Sequence, residues 1–109
     1  MAQSVIEAFN LRSLDRNVID SHLIKLFGYD PSGLEHNYII VYSEAEDLLG
    51  LWQKYLKHLP KVDFKYKLKG SAQEEETKFT DIKVARACHM REGKEIYVYH
   101  LFVNMAHSS

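Results

Sequence analysis

The chain is poor in the residues that mark specialised proteins. Its 109 residues contain one cysteine, Cys88, so no disulfide can close within a chain and a cross-linked secreted scaffold is excluded. Two prolines and five glycines are too few for a collagen-like or low-complexity segment. No apolar run approaches the roughly 18 residues that a membrane-crossing helix needs. The opening MAQSVIEAFN has no basic stretch followed by an apolar one, so the expectation is a chain without a secretory leader and with a cytoplasmic location. A dominant sign of charge is missing as well. Fourteen basic residues stand against 15 acidic ones, for −1 at pH 7, which points neither to a polyanion nor to an anionic membrane.

Chemical motifs are also absent. There is no Gly-x-Ser-x-Gly, no glycine-rich phosphate loop and no His-x-x-x-His among the six histidines, and a lone cysteine cannot complete a zinc cluster. No metal or cofactor is therefore expected, and these motifs name no catalytic residue. Cys88 and His89 resemble a nucleophile and its base, but neighbours on a strand point to opposite faces and cannot form a dyad.

What remains is the composition of an ordinary globular protein, 46% hydrophobic and 27% charged, at a length suited to a single domain over residues 1–109. Residues 4–9 have helical composition. Leu14, Val18, Ile19, Leu23, Leu26 and Phe27 then recur at three- and four-residue spacing and predict a helix over 14–27, with Ser13 as its N-cap and Asp15 in its first turn. Asp30-Pro31-Ser32-Gly33 has the composition of a type I turn. Residues 38–42, β-branched and aromatic, read as an interior strand. Ser43 and Glu46 form a capping-box pattern that opens a helix over 44–58, with Ala45, Leu48, Leu49, Trp52, Tyr55, Leu56 and Leu59 inward and Pro60 ending it. Strict alternation from Val62 to Lys69 predicts a strand with Val62, Phe64, Tyr66 and Leu68 on its dry side. A polar loop over 70–76 follows, and then a hairpin, 79–90 with 95–105. The fold class is therefore α+β: N-terminal helices and one further amphipathic helix on a mostly antiparallel, curved four-stranded sheet, in the order α-α-β-α-β-β-β.

The hairpin is the informative element. A turn centred on Glu92-Gly93 pairs Cys88 with Tyr97, Arg86 with Tyr99 and Val84 with Leu101. One face then carries Ile82, Val84, Arg86, Cys88, Met90, Tyr97, Tyr99, Leu101, Val103 and Met105, and the other Ala85, Ala87, His89, Ile96, Val98, His100 and Phe102. Neither has the composition of a solvated face. The small Ala85 and Ala87 admit helices on their side, which leaves the tyrosine face to be sheltered by something else.

Three functions fit this pattern. The first is a small non-enzymatic binding or regulatory protein that is a homodimer through the tyrosine face. The second is a cavity for a small carboxylate or aromatic ligand, possible even with catalysis, lined by Trp52, Tyr66, Arg86, Tyr97 and Tyr99 and approached by His100 or His89, with the Arg86 guanidinium seeking an acceptor. The third is an electrostatic binder of an acidic protein or nucleic acid through Lys54, Lys57, Lys61, Lys65, Lys67 and Lys69. Nucleic acid is disfavoured, because Phe64 and Tyr66 point away from the lysines and cannot stack on bases there.

Overall fold

A computed structural model describes residues 4–28 and 36–106. Along the chain run β1 (Val5–Asn10), α1 (Arg16–Gly28), β2 (His36–Ser43), α2 (Leu48–His58), a single 3-10 turn (Leu59–Lys61), β3 (Gln73–Glu75), β4 (Ile82–Arg91) and β5 (Lys94–Asn104). The architecture is α+β, with two helices on a five-stranded sheet of order β1-β2-β5-β4-β3.

Two expectations about the sheet are corrected, the first being its strand count, five and not four. It is mixed and not mostly antiparallel, since β1 with β2 and β2 with β5 are parallel while β5 with β4 and β4 with β3 are antiparallel. The cause is β1. Residues expected to begin with a helix form an edge strand whose burial alternates, with Glu7 and Phe9 inward and Ile6, Ala8 and Asn10 outward. A charged residue at an inward position hid that alternation: Glu7 is sheltered because its carboxylate meets His22 Nδ1 at 2.7 Å. The crossover from β1 through α1 brings the chain back in the same direction, which makes β2 parallel to β1.

α1 follows its apolar periodicity, burying Ile19, Leu23, Leu26 and Phe27. Its first turn is capped by Asp15, whose Oδ1 accepts from the Val18 amide at 3.2 Å, rather than by Ser13. The expected turn at residues 30–33 lies outside the described residues. β2 is interior, as its composition indicates, and it runs on through Ser43. That extension delays α2. Ser43 Oγ accepts from the Ala45 amide, at 3.1 Å, while Asp47 is the N-cap, accepting from the Gly50 amide at 2.9 Å. α2 buries Leu51, Trp52, Tyr55 and His58.

The alternating segment 62–69 is not a strand. Among the described residues its ladder contacts are an isolated bridge from Leu68 to His89 and hydrogen bonds from the Lys69 amide to the Cys88 carbonyl and from the Met90 amide to the Lys67 carbonyl. Its apolar side is nonetheless the inner one, with Val62 buried and Phe64, Tyr66 and Leu68 packed against the core. The sheet's last strand comes instead from the polar segment beyond it, β3, which pairs Gln73 with Arg86 and Glu75 with Val84.

The hairpin register is the expected one, Cys88 opposite Tyr97, Arg86 opposite Tyr99 and Val84 opposite Leu101. Glu92 and Gly93 adopt φ of 49° and 83°, the positive values that a two-residue type I′ turn requires. Both helices, Phe9, Ile39, Val41, Ala85, Ala87, Ile96, Val98 and Phe102 form one buried cluster, so both helices cover the same side of the sheet. No described helix is long and apolar enough to cross a membrane.

Candidate interaction face

The other side of the sheet is where the unassigned surface lies. The registers place Ile6, Tyr38, Tyr99 and Arg86 in one row across four strands, and Ala8, Ile40, Leu101 and Val84 in the next. A third row carries Asn10, Tyr42, Val103 and Ile82, while His36, Tyr97 and Cys88 form a shorter one. The second row is apolar across β1, β2, β5 and β4, at the middle of the face, and ends in Glu75 on the edge strand β3. Ile40, Leu101 and Val84 are half-buried by their neighbours on the sheet, and Ile6 and Tyr42 keep 59% and 38% of their surface exposed. None of these residues belongs to the buried cluster or is among the side chains packed on it.

Rings cover the upper part of the face. Parallel pairing sets side chains on β2 and β5 side by side, so that Tyr38 lies 5.4 Å from Tyr99 at an interplanar angle of 20°. His36 stacks between Tyr97 and Tyr99, at 5.8 and 6.0 Å. The result is a flat aromatic platform.

The charges beside it are already satisfied within the chain. The Arg86 guanidinium lies 5.3 Å from the centre of the Tyr97 ring and 3.7 Å from the Glu75 carboxylate. Glu95 accepts from the Tyr97 hydroxyl at 2.6 Å and from Lys69 Nζ at 2.9 Å. Those two hydrogen bonds hold the Glu95 carboxyl below its usual range and raise both partners, Tyr97 and Lys69, above theirs. Cys88 between them is shifted upward, first by partial burial and then by the Glu95 charge. Its thiol is therefore protonated at neutral pH and a poor nucleophile.

The sheet separates the six candidate cavity residues. Arg86, Tyr97 and Tyr99 are on this open face, whereas Trp52, Tyr66 and His100 are on the helix side, so the six do not surround one hollow. Trp52 is fully buried with its indole N–H donating to Glu74. Tyr66 packs edge-on against Phe27 at 5.1 Å. His100 is fully buried and its Nδ1 lies 2.6 Å from the Tyr55 hydroxyl.

Burial holds the two sheet histidines neutral. It lowers His100 to about 3, with the neighbouring His89 adding to the effect. It also lowers His89, opposed by the hydrogen bond from Nδ1 to the Tyr66 carbonyl at 2.8 Å. Sequence reasoning missed two histidine–carboxylate pairs, His22 with Glu7 and His58 with Asp20 at 2.6 Å. Their partners are 15 and 38 residues apart, and no spacing rule connects them. Among the described residues no group of three or more His, Cys, Asp or Glu side chains is arranged to hold a metal ion.

One hollow, of about 530 Å³, opens at the end of the sheet where β1, β2 and β5 finish, lined by Asn10, Leu11, Arg12, Tyr42, Glu44 and Met105. None of the six candidates is among those residues. A second, of about 440 Å³, lies beside β3 and includes Trp52, Glu74 and Phe79. The lysines do not form one unbroken field: Lys69 is paired with Glu95, and Lys65 lies 5.4 Å from the centre of the Tyr66 ring.

Compared with protein-family models, with curated proteins and with solved structures, the chain matches none of them. What can be said of its class rests on the mixed α+β sheet with helices on one side.

Proposed function

We propose that the chain is a small non-enzymatic binding or regulatory protein that acts as a homodimer through the open face of its sheet. The carrying observation is that, among the described residues, this face has an apolar centre and pairs its charges inside the chain, Arg86 with Glu75 and Glu95 with Lys69. Such a face offers nothing to an ionic ligand, and its apolar row gains by leaving water, at roughly 25 cal/mol per Å². Electroneutral and apolar, it is suited to a copy of itself, as a two-fold contact requires.

Size agrees with that reading. Four strands about 4.8 Å apart, with a length of about 3.3 Å per residue along β5, give a face of roughly 600 Å² before side-chain relief is counted. A standard interface takes about 800 Å² from each partner. Sedimentation equilibrium at micromolar concentration tests the proposal. The wild type is expected to associate through this face, and Leu101→Glu, which places a charge in the apolar row, is expected to abolish that contact. A wild-type monomer would remove the proposal.

The alternative of a small-molecule site has one supporting observation, the aromatic platform of His36, Tyr38, Tyr97 and Tyr99. A thermal-shift screen with flat aromatics and small carboxylates separates the two readings. A ligand present at about 100 times its dissociation constant adds about 2.7 kcal/mol of stability, whereas a surface occupied by a second copy gives no such response.

A further inference from the structure

The two edges of the sheet are built differently. β3 is three residues long and carries Glu74 and Glu75, with Glu76 next in the chain. Shortness and like charge are the usual guards against pairing with a foreign strand. β1, at the other edge, is six residues in regular register with β2 and has no proline and no lysine. Its one charged side chain, Glu7, is turned to the helix side and held by His22. Among the described residues nothing pairs with its outer edge.

The free hydrogen-bonding groups of β1 can be identified. The Leu11 amide donates to the Tyr42 carbonyl at 3.0 Å, so Leu11 directs its backbone groups inward to β2. Backbone groups alternate along a strand as side chains do. Phe9, Glu7 and Val5 are therefore also bonded inward, while Ile6, Ala8 and Asn10 present N–H and C=O to the outside. Ala8 is the midpoint of those three residues.

We infer that β1 is a second self-association surface: two copies pair their β1 strands antiparallel about a two-fold axis at Ala8, joining their sheets into one. That register places Ala8 opposite Ala8 and Ile6 opposite Asn10 twice, so every outward group meets another and about six main-chain hydrogen bonds form. An axis at Ile6 or at Asn10 leaves part of the set unmet. Paired residues lie on the same side of the combined sheet, as they must. Glu7 falls opposite Phe9 of the other copy's equivalent strand and not opposite a second Glu7, so no like charges are brought face to face. The axis is normal to the sheet, so the helices of both copies stay on one side and the open faces merge.

This contact uses a different surface from the face contact proposed above and does not depend on it. If both form, the assembly is a tetramer. The test is the solution mass of wild type, Ala8→Pro and Leu101→Glu. Proline at position 8 removes an outward donor without breaking the ladder to β2, which edge positions tolerate. Asn10→Pro, which likewise removes an outward donor of β1 and adds no charge to the open face, is the second variant should the Ala8→Pro form fold poorly by circular dichroism. The expected result is a twofold drop in mass for the β1 proline variants and, separately, for Leu101→Glu. A drop with Leu101→Glu alone overturns the edge inference and leaves the face reading standing. A drop with the β1 proline variants alone does the reverse. Amide exchange of the wild type gives an independent readout, with the Ile6, Ala8 and Asn10 amides slowed at least tenfold as protein concentration rises. Slowing that follows only addition of an unrelated extended peptide assigns the edge to a strand of another protein and overturns self-pairing.

Discussion

The Tyr55 hydroxyl and the His100 Nδ1 meet at 2.6 Å beneath α2, with neither residue exposed to solvent. Burial drives the two groups in the same functional direction, toward neutrality: the Tyr55 phenol is raised well above its ordinary value, and the His100 imidazole is lowered to about 3.

Acid stability follows from that pair. A histidine whose folded pKa is depressed binds its proton more readily in the unfolded chain, so stability is intact above about pH 6.5 and is lost as pH falls toward about 3. His89 is shifted in the same direction and adds to the slope. Across that window His100 alone accounts for a loss on the order of 5 kcal/mol, comparable with the whole stability of a small domain. Urea unfolding at pH 7 and pH 5 is expected to show a marked fall in midpoint. His100→Gln, whatever it costs at pH 7, is expected to flatten that dependence. An unchanged slope in the variant would contradict the assignment.

The start of α2 provides a second prediction. Alanine in place of a helix glycine usually gains about 1 kcal/mol, but a Cβ on Gly50 would overlap the Asp47 carboxyl group. That carboxyl is the one that caps the helix by accepting from the Gly50 amide. Gly50→Ala therefore loses a cap worth about 1 kcal/mol and is expected to leave stability nearly unchanged. In an Asp47→Ala background the same substitution is expected to stabilise. Chemical denaturation of the four members of the cycle reads the coupling, and additivity would show that the two residues do not interact.

Trp52 is fully buried, stacked 6.1 Å from Tyr55 and edge-on to Phe102 at 4.9 Å. Trp52→Ala is expected to cost about 3 to 5 kcal/mol. Glu74→Gln keeps the shape of the indole's acceptor and removes its charge, so a change below about 1 kcal/mol is expected from thermal unfolding. A loss as large as that of Trp52→Ala would mean that the link to β3, and not burial, holds the indole.

Glu95 organises the polar end of the open face, and its removal has a spectroscopic signature. In Glu95→Gln the Tyr97 phenol keeps a neutral acceptor but loses the carboxylate charge that raises it through both the hydrogen bond and the field, so its ionisation moves down toward the ordinary tyrosine range. Ultraviolet titration of the phenolates reads the shift, with a Tyr97→Phe variant to identify the ring. The Lys69 pair is exposed and screened by water and salt, so losing it is expected to leave the unfolding midpoint essentially unchanged.

The sequence exposed part of this design and concealed the rest for physical reasons. The register of the hairpin was legible because a two-residue turn at Glu92-Gly93 fixes every pair beyond it, and with the register came the division into helix side and open side. The dry side of 62–68 was legible from alternation. Its pairing was not, because Val62, Phe64, Tyr66 and Leu68 alternate in order to pack under the sheet and not to extend it. β1 was concealed by Glu7, whose burial depends on His22 in α1. β3 was concealed because Gln73, Glu74 and Glu75 join the sheet through backbone bonds that need no apolar pattern. The candidate cavity combined residues from both sides of the sheet, since Trp52 and Tyr66 come from segments whose side of the sheet only the tertiary fold decides.

The half-buried Cys88 thiol on the open face offers the most direct test of the central claim. Cys88 sits half-buried beside Arg86 and Tyr97, so a second copy on that face must cover it. The rate of Cys88 alkylation in the native chain, followed by mass spectrometry from nanomolar to high micromolar protein, is predicted to fall at least tenfold with rising concentration and to lose that dependence in Leu101→Glu. A rate independent of concentration in the wild type would contradict the account.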